Sequence, residues 1–225
     1  MIQPDQLEVL IMCYGLLFLL CFWVWKMKSE NLVSEEVLSM NWILLHIRHA
    51  GGIIIMTVIP VTCLPVVTQE IFLWPNSIDI IQGLTLIATG WLLVSLTLKN
   101  DIGISQEKQA ALKGSSIHVM LHILLRSTFL VSYEWFFRGC ILFTCVHLFG
   151  AVAAVIINLA LYAFIHSFNG KKEMYGSVPF GLILCIFSLW YQSVWPAILL
   201  HLLLSSFHEY FILLPLLNKS SKTVL

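Results

Sequence analysis

Charge is what this chain has least of. Asp, Glu, Lys and Arg make up only 11% of its 225 residues, against roughly a quarter in soluble domains. Too few polar groups remain to cover a water-facing surface, so a soluble globular enzyme is excluded. Disorder is excluded by the opposite measure, because 59% of residues are apolar and disordered chains need low hydrophobicity. The mean hydropathy is +0.91. Twelve basic and twelve acidic residues cancel, so no net field points to nucleic acid. Several familiar signatures are also missing. There is no C-x-x-C pair, and Cys13, Cys21, Cys63, Cys140, Cys145 and Cys185 all fall within apolar runs, where thiols pack as small hydrophobes. The N-terminal region carries Asp5 and Glu8 but no Lys or Arg, and bulky residues end its apolar run. It reads as a first span rather than a cleaved signal peptide.

What the chain does have is long apolar runs. Seven approach the roughly 20 residues that a crossing needs: about 7–25, 42–67, 78–98, 117–149, 151–168, 177–191 and 194–217. They are long and continuous, not short and alternating, so helices are expected and not a barrel. The fourth run is too long for one straight crossing, and either an interfacial start or a break near Ser132 would accommodate it. The sixth is short. The expected architecture is an all-α, polytopic transmembrane bundle of about seven spans, forming one membrane domain over 1–225. All nine lysines, Lys26, Lys28, Lys99, Lys108, Lys113, Lys171, Lys172, Lys219 and Lys222, then fall on one side. By the positive-inside rule that side is cytoplasmic, with the N-terminus outside and the C-terminus inside.

The scarce ionisable residues within spans are functional candidates by default. Span four carries His118, His122, Arg126, Tyr133, Glu134 and Arg138; span five Tyr162 and His166; span seven His201, Ser205, His208 and Glu209. Spacings of four put His118, His122 and Arg126 on one face, and let Glu134 pair with Arg138 and Tyr162 with His166. Three helices could thus turn polar faces to one point. Blander readings stand beside this. Glu134–Arg138 could be a structural pair, and His118, His122 and Arg126 could contact headgroups. His46, Arg48 and His49 sit at the entrance of span two, where snorkelling to the interface would account for them. Among intramembrane protease chemistries, H-E-x-x-H is absent, since His208-Glu209 is followed by Tyr210, Phe211 and Ile212. Asp5, Asp79 and Asp101 are the only aspartates, and only Asp79 is near a span, which leaves no aspartyl dyad. No G-x-S-x-G elbow occurs. A Glu/His arrangement with water as nucleophile remains.

Ser132-Tyr133-Glu134-Trp135-Phe136-Phe137-Arg138-Gly139 resembles the E-E-x-x-x-R-G motif of the CPBP family, which includes the CAAX prenyl endopeptidases and bacterial Abi-type proteins. Tyr162-Ala163-Phe164-Ile165-His166 resembles its F-x-x-x-H motif, and His201 with Ser205 its H-x-x-x-N motif. The resemblance covers about 117–210 and leaves the first three spans without a signature. It implies an intramembrane endopeptidase acting on a membrane-associated peptide or protein, and a bacterial cytoplasmic membrane is expected. It also implies that a motif-one Glu and His166 activate water, while His201 and the motif-three polar residue hold the oxyanion. Such a family is often described as metalloproteases. Glu134, His166 and His201 could hold zinc, although water activation needs none. Three positions depart from the pattern: Tyr133 replaces the first Glu, Tyr162 the Phe and Ser205 the Asn. The alternative is therefore a catalytically inactive CPBP-like scaffold or regulator. A proton-coupled transporter is a third class, but no inverted repeat is visible.

Overall fold

A computed structural model describes residues 4–30, 37–63, 79–101 and 116–220. The expectations for Lys108 and Lys113 lie outside them, as do the side chains of His118, His208 and Glu209. Among the described residues seven helical rods follow one another. Helix α1 is Pro4–Glu30. Helix α2 is Val37–Ile53, continuing through a π-helical stretch Ile54–Val58 into Ile59–Cys63. Helix α3 is Ile80–Asp101. Helix α4 runs Ser116–Glu134, then a π-helical stretch Trp135–Ile141, then Leu142–Phe149. Helix α5 is Ala151–His166, closed by a 3-10 turn Ser167–Asn169. Helix α6 is Lys171–Tyr191 and helix α7 is Trp195–Ser220. The protein is an all-α helical membrane bundle. Five stretches are long and apolar enough to cross a membrane: Leu7–Met27, Ile43–Cys63, Met120–Phe149, Ala151–Asn169 and Lys171–Tyr191. Shorter apolar helices are Ile80–Leu96 and Trp195–Phe207.

Local chemistry explains the boundaries. Asp79 and Gln82 form a reciprocal cap at the start of α3: Asp79 Oδ1 accepts the Gln82 amide at 2.7 Å, and Gln82 Oε1 accepts the Asp79 amide at 3.2 Å. This is the capping-box arrangement, satisfying two amides that the helix leaves over. Gly150 (φ +82°) and Gly170 (φ +117°) make the tight reversals before α5 and α6, a region of backbone space that side chains disfavour. The sixth span is not short. Lys171 and Lys172 lie in the first turn of α6, whose run of 21 residues is ample for a crossing.

Helix α4 is the axle of the bundle. Of an apolar 18-residue segment within its stretch 120–149, 78% is buried inside the protein, against 22–39% for the like segments of the other four candidate spans. Helices α2, α5 and α7 pack on it, while α1 leans on α2, and α3 docks on α7. The expected break near Ser132 does not occur. The helix instead carries its π-helical stretch immediately after Glu134, with every residue of that stretch buried. The Phe137 carbonyl there accepts both the Leu142 amide, five residues on, and the Asn158 side-chain amide of α5 at 2.6 Å. Cys185 of α6 donates to the other end of Asn158 at 3.4 Å. A polar side chain in an apolar helix thus anchors the irregularity between three helices. π-Helical turns commonly mark functional positions, and this one begins one residue after the candidate glutamate.

Candidate active site

Glu134, Arg138, Tyr133 and Tyr162 are buried where α4, α5, α6 and α7 meet. Glu134 is wholly enclosed, and its carboxylate oxygens have different neighbours. Oε1 accepts from Nδ1 of His201, on α7, at 2.5 Å. Oε2 lies 3.1 Å from Nη1 of Arg138. Neither of these two atoms has a hydrogen-bond partner among the described residues, so the second contact is an ion pair by distance without hydrogen-bond alignment. Arg138 is held from two more sides. Its guanidinium lies 3.9 Å from the centre of the Tyr162 ring, and Nη2 reaches the Gly181 carbonyl of α6 at 3.5 Å. A cation over an aromatic face is favourable where water is excluded.

His166 is fixed by its own helix. Its Nδ1 stands 2.9 Å from the Tyr162 carbonyl. A carbonyl can only accept, so Nδ1 carries the proton and Nε2 the lone pair; the tautomer follows from the network. The Tyr133 hydroxyl is 3.4 Å from the same nitrogen, the long arm of a forked contact. The same logic applies to His201, whose Nδ1 donates to a carboxylate. Both imidazoles are therefore anchored through Nδ1. The Tyr133 ring sits between them, edge-on to His166 at 5.9 Å and to His201 at 6.4 Å between ring centres.

Ser205 lies one turn beyond His201 and is buried. Its oxygen accepts from Nε of Arg126 at 3.1 Å, which leaves its own O–H as a donor. Tyr133, Glu134, Arg138, His166 and His201 are thus joined by direct contacts, and Ser205 stands one turn along α7 from His201, joined to Arg126. The zinc arrangement raised by the residue types is not assembled. Among the described residues no group of three His, Cys, Asp or Glu side chains is placed to hold a metal. Glu134 and His201 bond each other instead of facing a common point, so with His166 they do not offer the three-ligand face that zinc takes.

A comparison with protein families matches residues 116–207 to the Rce1-like family, type II CAAX prenyl endopeptidases. Over that segment the chain is similar to the CAAX protease family. The matched segment contains the three motif regions, the π-helical stretch and Tyr133, Glu134, Arg138, His166, His201 and Ser205, while α1, α2 and α3 precede it. No curated protein and no solved structure matches the chain.

Sequence reasoning passed over some residues that the structure joins to this centre. Asn158 was a lone amide in an apolar run, and that isolation was its signal. Arg126 reaches Ser205 and is more than a headgroup contact. His49 does not snorkel. It is completely buried, with its ring 5.5 Å from that of His122 and 5.1 Å from that of Phe129. The docking of α2 on α4 makes the face that carries His49 interior.

Proposed function

We propose that this protein is a membrane-embedded endopeptidase of the CAAX-protease type, with water as the nucleophile. The observation that carries the proposal is the contact between Glu134 and His201, from the first and third motif regions, inside a centre that also contains His166. His166 takes the proton of the attacking water on Nε2, the one ring nitrogen its tautomer leaves basic. His201, held by Glu134, and the Ser205 hydroxyl donate to the oxyanion of the tetrahedral intermediate. Fixed donors in a site shielded from water are worth most at that step. The proton on His166 then passes to the departing amine. Glu134 is a counter-ion and orienting group here. One of its oxygens is bonded to His201 and the other is paired with the Arg138 charge, so the role of proton-abstracting base moves to the histidine. Arg138 holds Glu134, and Tyr133 fills the space between the two imidazoles.

Purified protein in lipid nanodiscs, given a panel of prenylated and leader-type peptides, tests this by mass spectrometry of the products. Wild type is expected to release fragments. His166→Ala and Glu134→Gln should lower the rate by about 10²–10⁴-fold, with both variants still monodisperse and folded. Equal rates for wild type and both variants would sink the proposal. Tyr133 in place of a glutamate favours a second reading, in which the same polar centre only ties α4 to α5, α6 and α7. That reading is preferred if no peptide is cleaved and the variants lower only thermal stability.

A further inference from the structure

Between Ala151 and Leu161, helix α5 carries a single polar side chain, Asn158. It is completely buried. A lone amide in an apolar membrane helix is costly unless its polar atoms are bonded, and both ends of this one are. Nδ2 donates to the Phe137 carbonyl of α4 at 2.6 Å, and Oδ1 accepts from the Cys185 thiol of α6 at 3.4 Å. A carbonyl only accepts, so the end of the amide that faces Phe137 is the NH₂ group.

An amide that served only to join helices could have bonded any carbonyl along α4. The carbonyl it does bond is distinguished in two ways. It lies in the π-helical stretch Trp135–Ile141 and accepts the Leu142 amide, where a regular α-helix would give it the Ile141 amide. Such a one-residue offset can slide along a helix as neighbouring bonds exchange partners, so a contact from another helix fixes its place. The same carbonyl also belongs to the planar peptide unit that ends in the Arg138 nitrogen. Turning that unit swings the base of the Arg138 side chain. Phe137 and Arg138 are both fully enclosed, so bulk solvent cannot take over the bond.

The polar centre depends on both neighbours of this peptide unit. Nη1 of Arg138 lies 3.1 Å from Oε2 of Glu134, and its guanidinium stands 3.9 Å from the centre of the Tyr162 ring. The Phe137 ring is 4.5 Å from that of Tyr133 and 5.6 Å from that of Tyr162. Tyr133 in turn stands between the two imidazoles. Fixing one peptide unit therefore restrains the partner of the carboxylate and the ring that separates His166 from His201.

We propose that Asn158 is a positioning residue: its amide pins the π-helical offset of α4 at the Phe137–Arg138 peptide and so holds Arg138 against Glu134. Its effect on peptide cleavage rests on the peptidase reading, whereas its effect on Arg138 does not. Asn158 bonds none of the groups assigned to the chemistry. Its loss should slow turnover without weakening substrate binding. A misplacement of about 1 Å at a reacting centre can cost on the order of 10²-fold in rate, which sets the scale.

The test uses the full chain in nanodiscs and two variants. Asn158→Leu keeps the size of the side chain, and Asn158→Ser keeps a small polar group that falls short of Phe137. Arg48, Arg126 and Arg138 are the only arginines, and Arg138 alone follows a phenylalanine. Labelling the phenylalanine carbonyl carbon together with the carbon and nitrogen of arginine therefore isolates one carbonyl NMR signal, that of Phe137. Through-bond correlation from the same backbone assigns the Arg138 Nε–H. In both variants the Phe137 carbonyl signal should move upfield as it loses a donor, and the Arg138 Nε signal should shift with it. For the peptides, kcat should fall roughly 10–100-fold with KM unchanged within about threefold. An unmoved Phe137 signal overturns the bond and the proposal with it. A moved Phe137 signal with an unmoved Arg138 signal, or with kcat at the wild-type level, leaves Asn158 as a joint between helices and overturns the positioning role. A raised KM with kcat intact does the same. If wild type cleaves no peptide, the peptidase reading fails on its own, and the hold on Arg138 is decided by the Arg138 signal.

Discussion

Replacing Tyr133 by Phe would remove one hydroxyl and leave the ring between the two imidazoles. The hydroxyl makes only the long, 3.4 Å arm of a forked contact to His166, so the ring should matter more than the oxygen. Tyr133→Phe is expected to lower peptide cleavage by less than about tenfold, in line with a single weak neutral hydrogen bond. Tyr133→Ala should cost much more, because it empties a buried site. Rates of the two variants side by side check this. Arg138 behaves differently. It is enclosed with Glu134 and has no route to water. Arg138→Leu would leave the carboxylate short of one of its two partners. Breaking one side of a buried pair typically costs about 3–5 kcal/mol. A large fall in thermal unfolding temperature is expected, and a variant as stable as wild type would contradict the pairing. This arginine was visible from its spacing of four from Glu134. What spacing could not reveal is that Tyr162 and Gly181, from two other helices, complete its surroundings.

At the scale of elements, the contact between α6 and the polar centre passes through Gly181. A methyl group added there would meet Leu159 at 3.0 Å, Nη2 of Arg138 at 3.1 Å and the Tyr162 ring at 3.1 Å. The first neighbour is a flexible side-chain end, but the other two are held in place by the cation–ring contact. Gly181→Ala should therefore displace α6 or the guanidinium. A loss of about 1–3 kcal/mol is expected, the usual cost of overpacking, together with lower activity. Gly176→Ala is the control, since nothing stands within 4 Å of an added methyl there. Thermal unfolding of the two variants distinguishes a local clash from a general intolerance of α6. The existence of each helix followed from its apolar run. The π-helical stretch in α4 did not, because it depends on a carbonyl that Asn158 from another helix must satisfy.

For the whole molecule, the lysine distribution predicts which end of the bundle faces the cytoplasm. Phe149 and Lys172 are exposed and lie at opposite ends of α5 and its 3-10 turn. In a Cys63→Ser background, Phe149→Cys should react with an impermeant thiol reagent from outside intact cells. Lys172→Cys should react only after the membrane is opened. The reverse pattern would invert the topology. The same arrangement accounts for the division of labour among helices. Helix α4 holds a continuous buried stretch, Ser132–Leu142, and carries the first motif. Helices α5 and α7 bring one histidine each, and α2, which lies outside the matched family segment, adds His49 and Arg48.

The amino-acid sequence alone determined that this is a helical membrane protein, because apolar runs of this length admit no other way to satisfy their backbone groups. It also singled out Glu134, Arg138, His166 and His201, since ionisable side chains within such runs are costly enough to stand out. Only the tertiary structure decided who pairs with whom. Glu134 could have faced water, metal or a neighbour, and the antiparallel contact of α4 with α7 gives one of its oxygens to His201. His49 could have reached the interface, and the docking of α2 buries it. Periodicity specifies the face on which a side chain lies. What covers that face depends on contacts between residues far apart in the chain, which no single helix encodes.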